Sequence, residues 1–335
     1  MHLPQELADK IVTEHKGCPT DLKACSLIAR AWVAQTRSPG YLFTQLQPMN
    51  DEKLSVFIQS FDQPKTNLVT LRRGSVQSMS LEKPLQSPDF AALLPTLPNA
   101  SSNSLCANIL DVLGGVVTLN MRTINASDWM DFGYKDYPRA RTLHIFHSVR
   151  ILNLHDVRFG SPQHFHDVLS SLPSLEELSW KNARASPSPF FMSSGECTQL
   201  TRLPKLQKIT ICLHMFTPSL KSIILSLSTY IRQWTLLDVS TRELKVMGQL
   251  FREAGARGVS KQRWTMWLAR EMEKHRDAYE LGRLKRQVMK AIDLTQNARI
   301  ESLVFHGKLW STLLSSYVIE HLGSDGLEDV QFHDL

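Results

Sequence analysis

The sequence predicts an α/β protein in which a short helical region precedes a long series of short parallel strands and helices. Two observations carry this prediction. Apolar residues recur at helical spacing near the N-terminus, and from about residue 68 onward one apolar hexamer pattern returns at a nearly regular interval. At 335 residues the chain is long enough to bury a substantial core, in one large domain or two ordinary ones.

The first element is an amphipathic helix within "LPQELADKIV", residues 3 to 12. Pro4 suits the first helical position, because its missing N–H would have no helical partner there. Glu6 in the first turn complements the positive end of the helix dipole. Leu7 and Ile11 are spaced i, i+4, so they form one apolar stripe.

A second helix follows "KGCPT", with Thr20 or Asp21 expected to cap it. Its apolar residues recur at helical spacing, at Leu22, Cys25 and Trp32. "SPG" ends this helix, and "YLFTQLQ" forms a short third element. Two short helices cannot bury all of these apolar residues by themselves, so some must face another chain or the next domain.

The stretch "LPQELADKIVTEHKGCPTDLKACSLIARAW" resembles an F-box, a three-helix module, in a form common among fungal F-box proteins. The resemblance covers residues 3 to about 47, which predicts a domain at 1–47. It implies docking on the Skp-type adaptor of SCF ubiquitin ligases and, through that adaptor, on cullin. The matching adaptor-facing or core positions are Leu3, Pro4, Leu7, Ile11, Leu22, Cys25 and Leu27, and Trp32 matches the buried aromatic. The Leu-Pro start is then a hydrophobic hook for a partner groove.

Two features depart from the F-box pattern. Glu14 and His15 stand where the family usually has two apolar residues closing the first helix, and "SPGY" makes the following turn longer than usual. These departures favour an alternative, in which the F-box-like helices only cap the next domain. The chain would then be a ligase-independent scaffold for protein–protein interaction.

The second region carries the pattern apolar-x-x-apolar-x-apolar in eight copies, most of them 25 to 33 residues apart. Alternate residues of a strand point to one face, so the last two apolar residues of each copy are expected to enter a core. Stacking such units buries a core that no single unit could bury. The copies are Val76-Met79-Leu81, Val116-Leu119-Met121, Val149-Leu152-Leu154, Leu175-Leu178-Trp180, Leu206-Ile209-Ile211, Ile231-Trp234-Leu236, Ile300-Leu303-Phe305 and Leu327-Val330-Phe332.

The clearest unit, "VRILNLHDVRFGSPQHFHDVLSSLPSLEELSW", reads as strand, loop, helix and next strand. Its helix presents Phe165, Val168, Leu169 and Leu172 to the core. A Leu-Pro-x-Leu lead-in recurs in "LPSLEEL" and "LPKLQKI". The region 48–335 resembles leucine-rich-repeat solenoids, with irregular repeats and without the family's usual Asn or Cys after the strand. An ordinary α/β domain with a coincidental pattern is the alternative.

A basic segment is expected to interrupt these repeats. It has eleven Lys or Arg against five Asp or Glu, so it carries the whole net charge of +6. Trp264, Leu268 and Met272 are spaced i, i+4, which predicts a basic helical insert at about 252–290. Removing it gives the copy at Ile300 an ordinary interval. The interleaved acids favour a solvated helical excursion over an arm that binds nucleic acid.

No catalytic or cofactor motif is present: the sequence lacks a Walker loop, G-x-G-x-x-G, G-x-S-x-G and H-E-x-x-H. His164, His166 and Asp167 resemble metal ligands, but on a repeat helix the two imidazoles project roughly 200° apart. They are therefore expected to be solvated or in a loop. Cys25, on an apolar face without a His partner, predicts a buried inert thiol. We expect no enzyme activity, cofactor or metal.

The composition excludes other classes of protein. No apolar run approaches the roughly 20 residues needed to cross a bilayer, and charged residues interrupt any signal-peptide core. Five scattered cysteines without a C-x-x-C pair predict reduced thiols, and therefore a cytoplasmic or nuclear protein. The sequence thus predicts an adaptor that links an unknown protein substrate to an SCF ligase, without a nucleic-acid or membrane partner.

Overall fold

The structure is a computed structural model. It describes residues 4–16, 18–28, 45–49, 76–82, 112–122, 146–157, 159, 162–181, 203, 205–212, 224, 231–257, 261–269, 278–292, 300–321 and 327–333. The helices in this part of the chain are α1 (Gln5–Glu14), α2 (Pro19–Ile28), α3 (Pro162–Ser170), α4 (Leu244–Arg257), α5 (Ala278–Ala291) and α6 (Lys308–His321). Among these described helices, none combines the length and apolar character needed to span a bilayer.

The strands are short and begin soon after the second helix. They are β1 (Gln45–Met49), β2 (Ser78–Glu82), β3 (Thr118–Arg122), β4 (Ile151–His155), β5 (Glu177–Lys181), β6 (Lys208–Cys212), β7 (Gln233–Val239), β8 (Gln262–Leu268), β9 (Ile300–His306) and β10 (Asp329–His333). β1 therefore crosses the predicted boundary at residue 47, because the last residues of the predicted F-box already belong to a strand. The rest of the predicted third element lies outside the described residues.

The chain divides into two compact units. The first comprises Met1–Asn153 and Asp167–Ser174, and the second comprises Leu154–His166 and Leu175–Leu335. Strands follow one another as β1-β2-β3-β4 in the first unit and as β4-β5-β6-β7-β8-β9-β10 in the second. Every neighbouring pair whose register is described runs parallel. The predicted α/β class with a parallel sheet is confirmed, and this sequential order is compatible with a solenoid-like α/β fold.

The apolar copies form the cores of the two units. In the first seven copies, all three residues are at most 1% exposed. Leu178, Ile209, Trp234, Trp264 and Leu303 share one register across β5 to β9, so each buried side chain packs beside its counterpart on the next strand. In the last copy the lead-in leucine is buried, whereas the two residues on β10 are only partly covered.

A positive φ angle recurs at or near the ends of three strands. Within the described residues, positive φ angles occur at Asp156 and Asp238, both at 53°, and at Gly307, at 122°. Each of these residues lies two positions after the second buried strand residue of its copy. Asp and Gly tolerate this left-handed region better than most residues. These three repeats therefore share a positive φ angle at an equivalent position as well as an apolar pattern.

The predicted basic helical insert at 252–290 is wrong. The segment contains the end of α4, the strand β8 and the helix α5, which together form an ordinary unit of the sheet. Trp264 is fully buried on β8, where it pairs in register with Trp234. Leu268 ends the same strand, and Met272 lies outside the described residues. The helical spacing of these three residues was coincidental.

A buried amide replaces the apolar lead-in of this unit. Lys261 occupies the lead-in position, and Gln262 next to it is 0% exposed. The Gln262 Nε2 group donates a hydrogen bond to the Ala254 carbonyl oxygen at 3.0 Å, and the Gln262 Oε1 atom accepts one from Trp264 Nε1 at 3.1 Å. The buried amide is thus hydrogen-bonded through both its donor and its acceptor group, which offsets its desolvation.

Aromatic side chains fill the core beside β8. The Trp264 ring stacks on Trp234, with ring centroids 4.9 Å apart and an interplanar angle of 6°. The Trp264 ring also stacks on the Phe251 ring of α4, with ring centroids 4.1 Å apart. These contacts fix α4 against β7 and β8, and they make Trp264 a central residue of the second unit.

The predicted helix of the clearest unit is confirmed as α3. Phe165, Val168, Leu169 and Leu172 are all buried. In the second unit, the Phe165 ring lies 4.7 Å from that of Trp180 on β5, measured between centroids. The spacing of apolar residues at i, i+3, i+4 and i+7 therefore identified the buried face of this helix.

α4 and α5 approach each other closely at a glycine. A Cβ atom built on Gly248 would lie 2.9 Å from the Ala291 carbonyl oxygen and 3.0 Å from the Ala291 Cα atom. Both of these atoms belong to the backbone, so neither can rotate away. A Cβ atom on Gly282, in the middle of α5, would meet nothing within 4 Å.

A pair of tryptophan substitutions tests the strand assignment of β8. Trp264→Ala should destabilise the second unit by about 3–5 kcal/mol, because it removes a fully buried aromatic side chain. Trp267→Ala should cost much less, because Trp267 is half-buried and points to the opposite face of β8. Urea denaturation followed by circular dichroism measures both effects. In a helix the two residues would share a face, so equal losses would contradict the strand.

A pair of glycine substitutions tests the helix contact. Gly282→Ala should stabilise the protein by about 0.5–1 kcal/mol, because alanine favours an open helical position over glycine. Gly248→Ala makes the same chemical change but should destabilise, because its Cβ atom would clash with the backbone of α5. Thermal unfolding of the two variants measures the difference. A rise in Tm for both would show that α4 and α5 are not in contact there.

Candidate functional site

The N-terminal helices bury one side of α1 and leave another side open. Ala8 and Val12 of α1 form a single buried cluster with Leu22 and Cys25 of α2. All four side chains are at most 6% exposed. The pairing of α1 with α2 therefore depends on residues one position after those of the predicted apolar stripe.

The apolar stripe itself faces solvent. Leu7 is 49% exposed and Ile11 is 38% exposed, although both are large aliphatic side chains. They are spaced i, i+4, so they are neighbours along one side of α1. Pro4, directly before the helix, is exposed as well. We call Leu7 and Ile11 the apolar stripe of α1.

The structure places the other residues of the F-box resemblance as follows. Leu22 and Cys25 are buried between the helices, as a core role requires. Leu27 lies on α2, whereas Leu3 and Trp32 lie outside the described residues. The predicted first helix begins one residue later than expected, because Pro4 is its N-cap rather than its first residue.

The predicted cap of the second helix is also corrected. α2 begins at Pro19, so Thr20 and Asp21 lie inside its first turn. The Asp21 carboxylate instead reaches back to the first helix, where its Oδ2 atom lies 3.0 Å from His15 Nδ1. His15 departs from the apolar F-box pattern, and here it links the end of α1 to the start of α2.

A second candidate surface covers the outer face of the sheet in the second unit, opposite the buried rows. The first outward residues of β5 to β10 lie in one register and are Glu177, Lys208, Gln233, Arg263, Ser302 and Asp329. These residues are flanked by five more, which are Glu176, Arg232, Lys261, Glu301 and Glu328. We call these eleven residues the charged row. Its basic members lie on or before β6 to β8, and its acidic members lie on or before β5, β9 and β10.

Ion pairs join the basic centre of the charged row to its acidic flanks. Lys208 Nζ lies 3.1 Å from Glu177 Oε2, and Arg263 Nε lies 3.4 Å from Glu301 Oε2. A third pair joins Lys261 to Glu328, and this hydrogen bond raises the pKa of the exposed Lys261 ammonium above its usual value. Exposed pairs of this kind contribute little to stability.

Two adjoining grooves of about 600 and 570 Å³ follow the charged row. They share Lys208, Gln233, Arg263 and Glu301 in their walls. The larger groove also passes over Thr235 and Thr265, the next outward residues of β7 and β8. The charged row is therefore a concave polar surface, with side-chain hydroxyls beside its charges.

The far end of the same face carries an aromatic stack. Trp267 of β8 stacks on His306 of β9, with ring centroids 3.9 Å apart and an interplanar angle of 10°. His306 in turn stacks on His333 of β10, with centroids 4.9 Å apart. Burial lowers the pKa of the His306 imidazole below its usual value, and the charge of His333 lowers it further.

The outer face of the first unit is polar but uncharged at its centre. Asn153 Nδ2 donates a hydrogen bond to Asn120 Oδ1 at 2.8 Å. Asn120 Nδ2 in turn lies within hydrogen-bond distance of Ser78 Oγ and Ser80 Oγ, at 3.3 and 3.2 Å. These side chains satisfy one another, so this network reads as a cross-strand contact rather than a vacant site.

The structure corrects the predicted position of a histidine on α3. His166 is 7% exposed and lies on a helix, whereas a solvated or loop position was expected. It follows Phe165 on the buried side of α3. Among the described residues, no three His, Cys, Asp or Glu side chains come close enough together to hold a metal ion. Cys25 is buried, as expected.

The charged row was not predicted from the sequence. Its strand residues occupy the outward position directly before the first buried strand residue of each copy, so the alternation of the strands could have identified them. No protein-family model matches the chain, and no curated protein matches it either. The apolar stripe of α1 and the charged row are therefore the observations from which a function is inferred.

The aromatic stack gives a prediction about pH. Because the folded pKa of His306 is depressed, folding disfavours its protonated form. The stability that neutral His306 contributes is complete above pH 6.5, its ordinary pKa, and is lost as pH falls through 6.5 toward the folded value. His333→Gln should raise the pKa of His306 while leaving it below 6.5, because burial is the larger cause.

NMR titration of the His306 imidazole measures this shift. His15→Gln is the matched control, because His15 lies in the first unit and should leave the titration of His306 unchanged. An identical His306 pKa in the wild type and in His333→Gln would show that the two imidazoles do not interact.

Proposed function

We propose that this protein is a substrate receptor of an SCF ubiquitin ligase. In this proposal α1 and α2 belong to an F-box that binds the Skp-type adaptor, and the following region is a leucine-rich-repeat-like solenoid that binds a protein substrate. The observation that carries the proposal is the apolar stripe of α1. Leu7 and Ile11 match positions of the F-box pattern that face the adaptor or the core, and both are exposed here.

The exposure of the stripe has a physical consequence. Burying a leucine or isoleucine side chain that water had covered contributes about 1.5–3 kcal/mol. Because Ala8 and Val12 already hold α1 against α2, covering Leu7 and Ile11 would require no change in the helix pair. Such a preformed apolar stripe suits a helix that lies in a groove of a partner.

The sequential strand order supports the second half of the proposal. Each repeat adds one strand beside the strand of the repeat before it, so the outward side chains of successive strands form a continuous row. These positions are free of the demands of core packing, and in the second unit they carry charges, amides and hydroxyls. A face of this kind suits the recognition of another protein.

The proposed role does not require chemistry from this chain. An adaptor accelerates ubiquitin transfer by bringing the substrate near the other subunits of the ligase, which supply the reacting groups. The chain would act in the cytoplasm or the nucleus, where SCF ligases operate. Its partners in this proposal are the Skp-type adaptor, cullin through that adaptor, and a protein substrate.

The capping alternative predicts a different exposure for the apolar residues of α1. If α1 and α2 only covered the end of the next domain, the largest apolar residues of α1 would be expected to face that domain. Instead Leu7 is half-exposed, while the smaller Ala8 is buried. This distribution favours docking on a partner.

Binding to a purified fungal Skp-type adaptor tests the proposal. The double variant Leu7→Lys, Ile11→Lys should weaken adaptor binding by about 100-fold, because two apolar contacts are lost and two charges must be desolvated. Isothermal titration calorimetry with the full chain measures the affinity. The urea midpoint of the variant should match that of the wild type, because both residues are exposed.

Thr13→Lys is the matched control. It adds a charge at another exposed position of α1, about 120° around the helix from Leu7. The control should bind the adaptor as tightly as the wild type does. Equal binding by the double variant and the wild type, or no adaptor binding by the wild type, would contradict the proposal.

A further inference from the structure

The strand β10 forms one edge of the sheet. It pairs with β9 over all five of its residues and without a register shift. Among the described residues, no strand lies on its other side. An edge strand of this kind presents backbone N–H and C=O groups that can pair with a strand of another chain.

The backbone groups at the free edge of β10 belong to Val330 and Phe332. The Gly307 N–H group, directly after β9, donates to the His333 carbonyl oxygen at 2.9 Å. Successive carbonyl groups of a strand point to opposite edges, so the carbonyl groups of Phe332 and Val330 point away from β9. The N–H group of a strand residue points to the same edge as its own carbonyl group. Each of these two residues therefore presents one donor and one acceptor at the free edge.

The same two residues carry apolar side chains whose burial is incomplete. In the seven earlier copies of the apolar pattern, both strand residues are at most 1% exposed, whereas Val330 and Phe332 are partly exposed. The Phe332 ring stacks on that of Phe305 on β9, with ring centroids 5.2 Å apart. The buried rows of the second unit therefore extend to β10 but are only partly covered there. Covering them would remove further apolar surface from water, which favours association.

The first strand of the chain has features that β10 lacks. β1 contains Pro48, which has no backbone N–H group, and its pairing with β2 shifts register between Leu46 and Met49. Proline and irregular pairing both hinder an edge strand from pairing with another chain. β10 contains no proline, and its pairing with β9 is regular.

We propose that a second copy of this chain pairs with β10, with the two β10 strands antiparallel and the two-fold axis at Gln331. In this register every residue of β10 lies opposite a residue of the other β10. Val330 of each copy exchanges backbone hydrogen bonds with Phe332 of the other copy. The apolar rows of the two copies then become continuous across the interface, which is the same surface on both chains. This proposal does not depend on the proposed function.

The polar face of β10 is complementary to itself in this register. Asp329 lies opposite His333 of the second copy at both ends of the paired segment, so an imidazole can donate a hydrogen bond to each carboxylate. Gln331 Nε2 donates to Asp329 Oδ2 at 2.8 Å, and His333 Nε2 lies 3.3 Å from Gln331 Oε1. These bonds hold the three side chains in one row before the second copy binds. Glu328, directly before the paired segment, already forms an ion pair with Lys261.

Sedimentation velocity of the purified full chain at neutral pH, over a range of protein concentrations, tests this proposal. The wild type should change from a monomer to a dimer as its concentration rises. His333→Asp should weaken the dimer by at least about tenfold, because both Asp–His contacts become contacts between like charges. His147→Asp is the matched control. It makes the same change at an exposed position outside β10, so it should dimerise as the wild type does.

Exchanging the two charges should restore the dimer. Asp329→Lys combined with His333→Asp again places opposite charges at both ends of the paired segment. This double variant should therefore dimerise more tightly than His333→Asp alone.

Val330→Pro tests the backbone contact. It removes an N–H group that points away from β9, so the hydrogen bonds between β9 and β10 remain. This variant should be a monomer at concentrations where the wild type is a dimer, and its circular dichroism spectrum should match that of the wild type.

Several outcomes would overturn the proposal. They are a wild type that stays monomeric at every concentration, equal dimerisation by the wild type and His333→Asp, an equal loss in His147→Asp, and no recovery in the charge-exchanged double variant. A dimer that persists in Val330→Pro but is lost in Leu7→Lys, Ile11→Lys would form through the apolar stripe of α1, and this result would also overturn the proposal. Adaptor binding is measured separately, so the dimer and the proposed function can fail independently.

Discussion

The buried rows that cross the strands are the constraint on which the rest of the structure depends. Side chains of a strand alternate between two faces, so fixing two inward residues of each strand also fixes its outward residues. In the second unit the inward rows run from Leu178 and Trp180 through Trp264 and Met266 to Leu303 and Phe305. The outer face is therefore ordered because the inner face is packed.

The two candidate surfaces are exposed for different reasons. The charged row is polar, so its exposure costs little, and its ion pairs hold the long side chains in place across neighbouring strands. The apolar stripe of α1 is an exposed pair of aliphatic side chains beside a small satisfied core. The first surface is stable in water as it stands, whereas the second gains free energy when it is covered.

Much of the fold followed from the sequence, because apolar periodicity reports burial directly. Seven copies of the hexamer and the face of α3 were predicted residue by residue. The strand β8 was not, because Trp264 satisfies two patterns: it is spaced i, i+2 from Met266 and i, i+4 from Leu268. An apolar residue at the lead-in position would have identified a strand, but Lys261 stands at that position and the buried residue beside it is the polar Gln262.

The ion pairs between neighbouring strands could not be predicted from the sequence either. The partners in the pairs Lys208–Glu177 and Arg263–Glu301 lie about 30 to 40 residues apart, and only the strand register brings them together. The outward position of each of these residues could have been read from the alternation of its own strand. The partner of each could not, because small shifts such as the one between Gln262 and Arg263 change which residues meet.

The recurring positive φ angle marks equivalent positions in successive repeats. Asp238 and Gly307 each lie two positions after the second buried residue of β7 and β9, and both have a positive φ angle. A chain joined from Asp238 directly to Lys308 would place a residue with positive φ before α6, as Gly307 is placed, while omitting α4, β8, α5 and β9. Removing whole repeats at this position would keep the alternation of inward and outward side chains in the strands that remain.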